Sequence, residues 1–200
     1  MQILTKALAF AASLAAAASL QASLTITFNM PGFGDETGTP TDGMYYAIIA
    51  DTAGDGFDFS HYSTFDITQN EQFLPTLEGV TDDLYLFGSD GLTQTLFAPP
   101  LQAHGVVSSI ATIPYNTSLL SPNDEFGLIW FADNAAEEGN AYGFVRGSDW
   151  LIGSNGDAIS GLETVSPGAA SYTIVPEPGA YAAALGALAL GFVGWRRRRK

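Results

Sequence analysis

The chain of 200 residues contains no cysteine. No disulfide staples its loops and no thiolate holds a metal, so core packing must stabilise it unaided. Basic residues are scarce as well. Lys6 stands near the start, Arg196, Arg197, Arg198, Arg199 and Lys200 stand together at the end, and only Arg146 falls within residues 23–174. That stretch carries 20 of the 21 acids, a net charge of −19 against −14 for the whole chain. A surface of that sign repels nucleic acid and anionic headgroups and favours cations or basic partners. Histidine is nearly missing: His61 and His104 stand 43 positions apart with no motif around either. The Gly-Ser pairs at 88–89, 147–148 and 153–154 lack the Gly-x-Ser-x-Gly elbow of a serine nucleophile and read as turns. Adjacent acids such as Asp82-Asp83 and Glu137-Glu138 are the right residue type for glycoside hydrolysis, but that chemistry depends on a separation in space. The chain therefore reads as non-enzymatic, with a secreted polysaccharide hydrolase as a distant alternative.

The two ends are strongly patterned. Residues 1–22 have the form of a signal peptide: Lys6, an apolar run from Ala7 to Ala18, and Ala22 as the small residue before cleavage, with Ala18 as a second option. Residues 179–195 carry no charge, and as a helix they cover roughly 26 Å, close to a ~30 Å hydrocarbon core. The Arg196–Lys200 cluster stays cytoplasmic, so such a transmembrane helix runs outside to inside with the preceding domain exported. Gly179, Ala183, Ala187 and Gly191 recur every four positions along it and offer a face for close helix packing.

The middle, 23–174, is long enough for one sizeable core and shows no internal repeat. Ser23 to Phe28 alternates polar and apolar, as a half-buried strand does, and Met44 to Ala50 is an apolar run suited to an interior strand. Further strands are expected at Tyr62–Ile67, Leu84–Phe87, Gln94–Phe97, Val106–Ile113, Phe126–Ala132, Ala141–Val145, Trp150–Ile152 and Ser171–Val175. Clusters of Gly, Asp, Asn, Pro and Ser separate them. Short strands at this spacing predict an all-β ectodomain, an antiparallel β-sandwich or jelly roll.

Two local features invite ligand readings. Asp51-Thr52-Ala53-Gly54-Asp55-Gly56-Phe57-Asp58 sets Asp51, Asp55 and Asp58 around a glycine turn, the hard-oxygen chemistry of a Ca²⁺ loop. It is no EF-hand, since Ala53 and Tyr62 stand where acids are required, and a polar turn closing the preceding strand is the plainer reading. Trp130 and Trp150, with Tyr142 and Tyr115, would suit a flat platform for sugar rings, but filling a core is the plainer reading of aromatics in strands. Together these features make a Ca²⁺-dependent carbohydrate-binding module the first alternative function.

Val175-Pro176-Glu177-Pro178 stands directly before the apolar stretch, and the arginine cluster directly after it. That order resembles the PEP-CTERM sorting signal of exopolysaccharide-producing Gram-negative bacteria, over residues 175–200. The resemblance implies recognition and cleavage near Pro176–Pro178 by an exosortase, a membrane-embedded cysteine transpeptidase-like enzyme, after entry through the Sec export machinery. It implies a membrane-anchored precursor that passes to the cell surface or an exopolysaccharide matrix. Two prolines keep Glu177 out of the helix and leave an extended segment for a protease to read. The resemblance says nothing about the domain in front.

Overall fold

The computed structural model describes residues 23–57, 59, 62–72, 83–87, 93–98, 103–115, 119–175, 185–190, 192, 195 and 196. The expected signal peptide, Asp58, His61, Pro176, Glu177, Pro178 and Arg197 to Lys200 lie outside the described residues.

Two sheets build the domain. The first has the order β10(Ala158–Ile159), β1(Ser23–Met30), β7(Ala103–Pro114), β6(Leu96–Ala98). The second runs β11(Tyr172–Thr173), β9(Ala141–Val145), β8(Phe126–Phe131), β2(Tyr45–Ala50), β4(Leu84–Leu86), β3(Glu71–Gln72), with β5(Thr93–Gln94) also pairing β2. The pairings are antiparallel except one: β1 and β10 run parallel through Thr25↔Ala158 and Ile26↔Ile159. The architecture is thus all-β, with the first sheet mixed and the strand pairs of the second antiparallel. Trp150–Ile152 and Tyr62–Ile67 make isolated bridges, Glu125↔Leu151, Ser63↔Val175 and Phe65↔Ala136, in place of the strands expected there.

The alternation in β1 does what its period of two dictates. Leu24, Ile26, Phe28 and Met30 are buried, while Thr27 and Asn29 are exposed. Their buried side chains share one apolar cluster with Tyr46, Ile48 and Ala50 of β2 and Phe126, Leu128 and Trp130 of β8. Rings close the contact between the sheets, Phe28 meeting Phe126 edge-on at 6.3 Å and Phe33 meeting Trp130 edge-on at 4.9 Å.

The continuous apolar runs in β2 and β8 have a different cause. Ile49, Ile129 and Phe131 point to the opposite face of the second sheet, where Tyr62, Phe65, Ile67, Ala136 and Ile174 cover them. A strand sandwiched by packed side chains on both faces needs no polar alternation, which is why all six residues of β8 are buried. Residues 62–67 therefore serve as a cover over the sheet rather than as a member of its ladder, and Tyr85 of β4 is pinned beneath them by donating its hydroxyl to the Ile67 carbonyl at 3.1 Å.

Leu185 to Leu190, Phe192, Trp195 and Arg196 are helical. Among the described residues no helix is long and apolar enough to cross a membrane.

Candidate functional site

Asp51, at the end of β2, is buried at 2% exposure, and its amide donates to the Glu125 carbonyl at 3.0 Å. Its carboxylate turns back into the following loop. Oδ1 accepts the Gly54 amide at 2.7 Å and Oδ2 the Gly56 amide at 2.9 Å. Both glycines hold φ values of +76° and +97°, a conformation that side chains with a Cβ resist. Asp51 thus shapes the loop from inside, while Asp55 stands exposed at the tip. Among the described residues no three acidic or histidine side chains gather as a metal site requires. The loop does form one wall of an open cavity of about 430 Å³. Asn123, Asp124, Glu125 and Arg146 line it as well.

Arg146 donates from Nη1 to Glu125 Oε2 at 2.5 Å, both side chains about half exposed. Its guanidinium also lies 5.7 Å from the Phe57 ring centre, within cation–π range. From Phe57 a row of half-buried rings leads away: Phe144 at 4.9 Å, Phe59 stacked on Phe144 at 5.0 Å, and Tyr172 edge-on to Phe59 at 5.3 Å. Nothing in the sequence joined these residues, because they come from the loop after β2, from β9 and from β11.

The sugar platform expected of Trp130 and Trp150 is not on the surface. Both are fully buried, and Tyr142 and Tyr115 are buried as well. The indole N–H of Trp130 donates to the Gly34 carbonyl at 3.0 Å and that of Trp150 to the Glu163 carbonyl at 3.2 Å, so each polar tip is satisfied by backbone. These tryptophans fill the core because indole buries more area than any other side chain once its N–H has a partner.

The acids have a use that the sequence reading missed. Asp35 Oδ1 accepts the amide and hydroxyl of Thr37 at 2.9 and 2.7 Å and the amide of Thr39 at 3.1 Å. Asp66 Oδ1 does the same with Thr68, at 2.8 and 2.6 Å. Glu163 Oε2 accepts the amide and hydroxyl of Ser148 at 3.1 and 2.9 Å. In Asp35 and Asp66 the threonine hydroxyl is the foremost cause holding the carboxyl below its ordinary range, and in Glu163 it is the Ser148 amide. Asp42 is lowered too: partial burial opposes ionisation, but the Gly105 amide and the His104 ring outweigh it. His104 is exposed and contacts Asp42 Oδ2 through Nδ1 at 2.6 Å, so this histidine braces a loop. Asp124 and Asp157 accept the amides of Ser121 and Ser154 at 2.7 and 2.6 Å. The Asp-x-Thr spacing at 35–37 and 66–68 is the local signal that reveals such turns.

Of the other paired acids, Glu137 and Glu138 are exposed on a turn, and Asp83 is fully buried, accepting the Tyr62 hydroxyl at 2.6 Å. Asp82 lies outside the described residues.

The class these features define is a two-sheet all-β domain whose loops are pinned by carboxylates, with an open polar cavity at the Asp51–Gly56 loop. No protein-family model, curated protein or solved structure matches the chain.

Proposed function

We propose that this is an exported, non-enzymatic protein of the cell surface or exopolysaccharide matrix, sorted through its tail by an exosortase. The observation that carries the reading is the order of three parts: Val175-Pro176-Glu177-Pro178, the uncharged stretch 179–195, and the basic cluster Arg196–Lys200. The tail's described residues support it. Leu185, Leu188, Leu190, Phe192 and Trp195 expose 51–76% of their surface while helical. Apolar side chains that open on a helix are costly in water and favourable in lipid, and Trp195 next to Arg196 suits the membrane interface. The acidic two-sheet domain is the exported part, a β-sandwich ectodomain in this reading, released when the anchor is cut.

Mass spectrometry of the surface-exposed protein tests it. The processed product yields no peptide from Ala180 to Lys200. Persistence of the whole tail in the mature protein would make it an ordinary anchor and end the sorting reading.

A further inference from the structure

We propose that Asn155 is a site of spontaneous deamidation, converted to aspartate and isoaspartate through attack by the Gly156 nitrogen at a rate set by the peptide group of Ser23. The site belongs to the β domain and stands independently of how the tail is processed.

Asn155 is the one asparagine of the chain that glycine follows. A Cβ on the following residue crowds the attacking nitrogen, and glycine has none. The fold leaves the position open as well. Asn155 and Gly156 are exposed in a turn that the Asp157 amide closes on the Ser154 carbonyl at 3.0 Å. Apart from its chain neighbours, nothing lies within 4 Å of where a Cβ on Gly156 would stand, so water reaches the reacting groups.

The chemistry needs no reactant other than water. Solvent hydroxide removes the Gly156 amide proton, and the nitrogen attacks Cγ of Asn155. The N–Cγ bond forms, the Cγ–Nδ2 bond breaks, and the side-chain nitrogen takes up a proton and leaves as ammonia. Water then opens the cyclic imide. Opening at Cγ gives aspartate. Opening at the main-chain carbonyl gives isoaspartate, whose backbone runs through Cβ and Cγ and is one carbon longer.

Ser23 restrains both partners. Its amide donates to Asn155 Oδ1 at 3.1 Å, and its carbonyl accepts the Gly156 amide at 2.9 Å. While these bonds hold, the carboxamide and the nitrogen face the Ser23 peptide rather than each other, and the proton that must leave is engaged. The outcome also differs between the two products. The same turn leads into the parallel pairing of β1 with β10, since the Asp157 carbonyl accepts the Thr25 amide at 3.0 Å and Thr25 pairs with Ala158. Aspartate keeps the length of the turn and an acceptor for Ser23. Isoaspartate lengthens the turn and releases β10 from β1.

The test incubates the full-length chain in detergent in mildly alkaline buffer. Peptide mass spectrometry follows the exchange of NH₃ for H₂O, and enzymatic methylation counts isoaspartate. Expected is conversion at Asn155 while Asn134 and Asn140, each followed by alanine, stay intact. Ser23→Pro removes the donor to Oδ1 and should speed conversion about fivefold, the worth of one hydrogen bond; unfolding in urea removes both bonds and should speed it about tenfold or more. If Ser23→Pro lowers the thermal midpoint, wild type in urea below its unfolding transition replaces it, and conversion must then rise in step with hydrogen exchange at the Gly156 amide. Converted protein rich in isoaspartate should exchange the Thr25 amide faster than Asn155→Asp, which carries the charge without the added carbon. An intact Asn155 in both folded and unfolded chain overturns the proposal. So does a rate unaffected by unfolding or by release from Ser23, or Thr25 exchange equal in the two forms.

Discussion

The indole of Trp130 lies so close to Gly143, its partner across the β8–β9 ladder, that a Cβ at position 143 would stand 2.0 Å from the ring. The strand glycine is there because the facing indole occupies the space a side chain would need, and the ring covers the backbone that glycine leaves bare. Gly127 and the Phe144 ring repeat the arrangement on the same pair of strands, with a notional Cβ at 2.7 Å.

Gly143→Ala is therefore expected to destabilise the domain by about 2 kcal/mol or more, since neither the indole nor the strand can move without disturbing the shared core. Urea unfolding measures it. Gly54→Ala is the informative contrast: open space surrounds it, and only its φ of +76° opposes the change, so a cost of about 1 kcal/mol is expected. Equal costs at the two positions would mean that the indole yields easily.

Asp51→Ala removes the acceptor for two loop amides at once. A loss of about 1–3 kcal/mol is expected, from leaving these donors without their partner. Hydrogen exchange at Gly54 and Gly56 should rise in the variant ahead of exchange in β2. Unchanged exchange there would show that the loop keeps its shape without the carboxylate.

Acid sensitivity follows from the depressed carboxyls. A group whose pKa is lower in the folded state stabilises the fold above its unfolded value and loses that contribution as pH falls through the folded one. The contribution of Glu163 should begin to fade below 4.5 and those of Asp35 and Asp66 below 3.8, their ordinary values. Thermal midpoints measured from pH 7 down to 2 should show a shallower acid decline in Asp66→Asn than in the wild type. Parallel curves would remove Asp66 from the account. Partial relief of the −19 charge acts in the opposite direction, so the difference between the two proteins is the quantity to compare.

Tryptophan emission distinguishes core from surface. Trp130 and Trp150 are fully buried and Trp195 is half exposed. In the full chain, acrylamide should quench one class of emission readily and spare the other, and Trp195→Phe should abolish the accessible class. Residual accessible emission in that variant would contradict the burial of the two core indoles.

Several elements were legible in the sequence for plain physical reasons. The strict alternation of Ser23–Phe28 marks β1, and the apolar runs at 44–50 and 126–132 mark β2 and β8, because burial on one face or two leaves its imprint on local order. Residues 62–67 read as a strand by the same rule, yet they lie as a cover on the sheet. Periodicity reports that alternate side chains are buried and is silent on whether the backbone joins a ladder. β3 and β10 are two residues each, too short to carry a pattern. The two tryptophans carried both readings for a related reason: core was the plainer one for aromatics in strands, but only the facing sheet, which buries both, removes the platform.

Sequence alone determined the charge of the domain, the absence of any disulfide, and the ordered motif, apolar stretch and basic cluster from Val175 to Lys200 on which the sorting proposal rests. These depend on residue identity and adjacency. Only the tertiary structure decided what the acids and the aromatics do. Asp51 and Asp35 turned from candidate ligands and surface charge into loop pins because backbone amides come within 3 Å of them after the chain folds. Trp130 went inward because Gly143 leaves it room, and Phe57 was brought against Phe144 and Arg146, 87 and 89 positions further on, by pairing β8 with both β2 and β9. Hydrogen bonds and packing act over a few ångströms of space, and only the ladder order sets which residues share that distance.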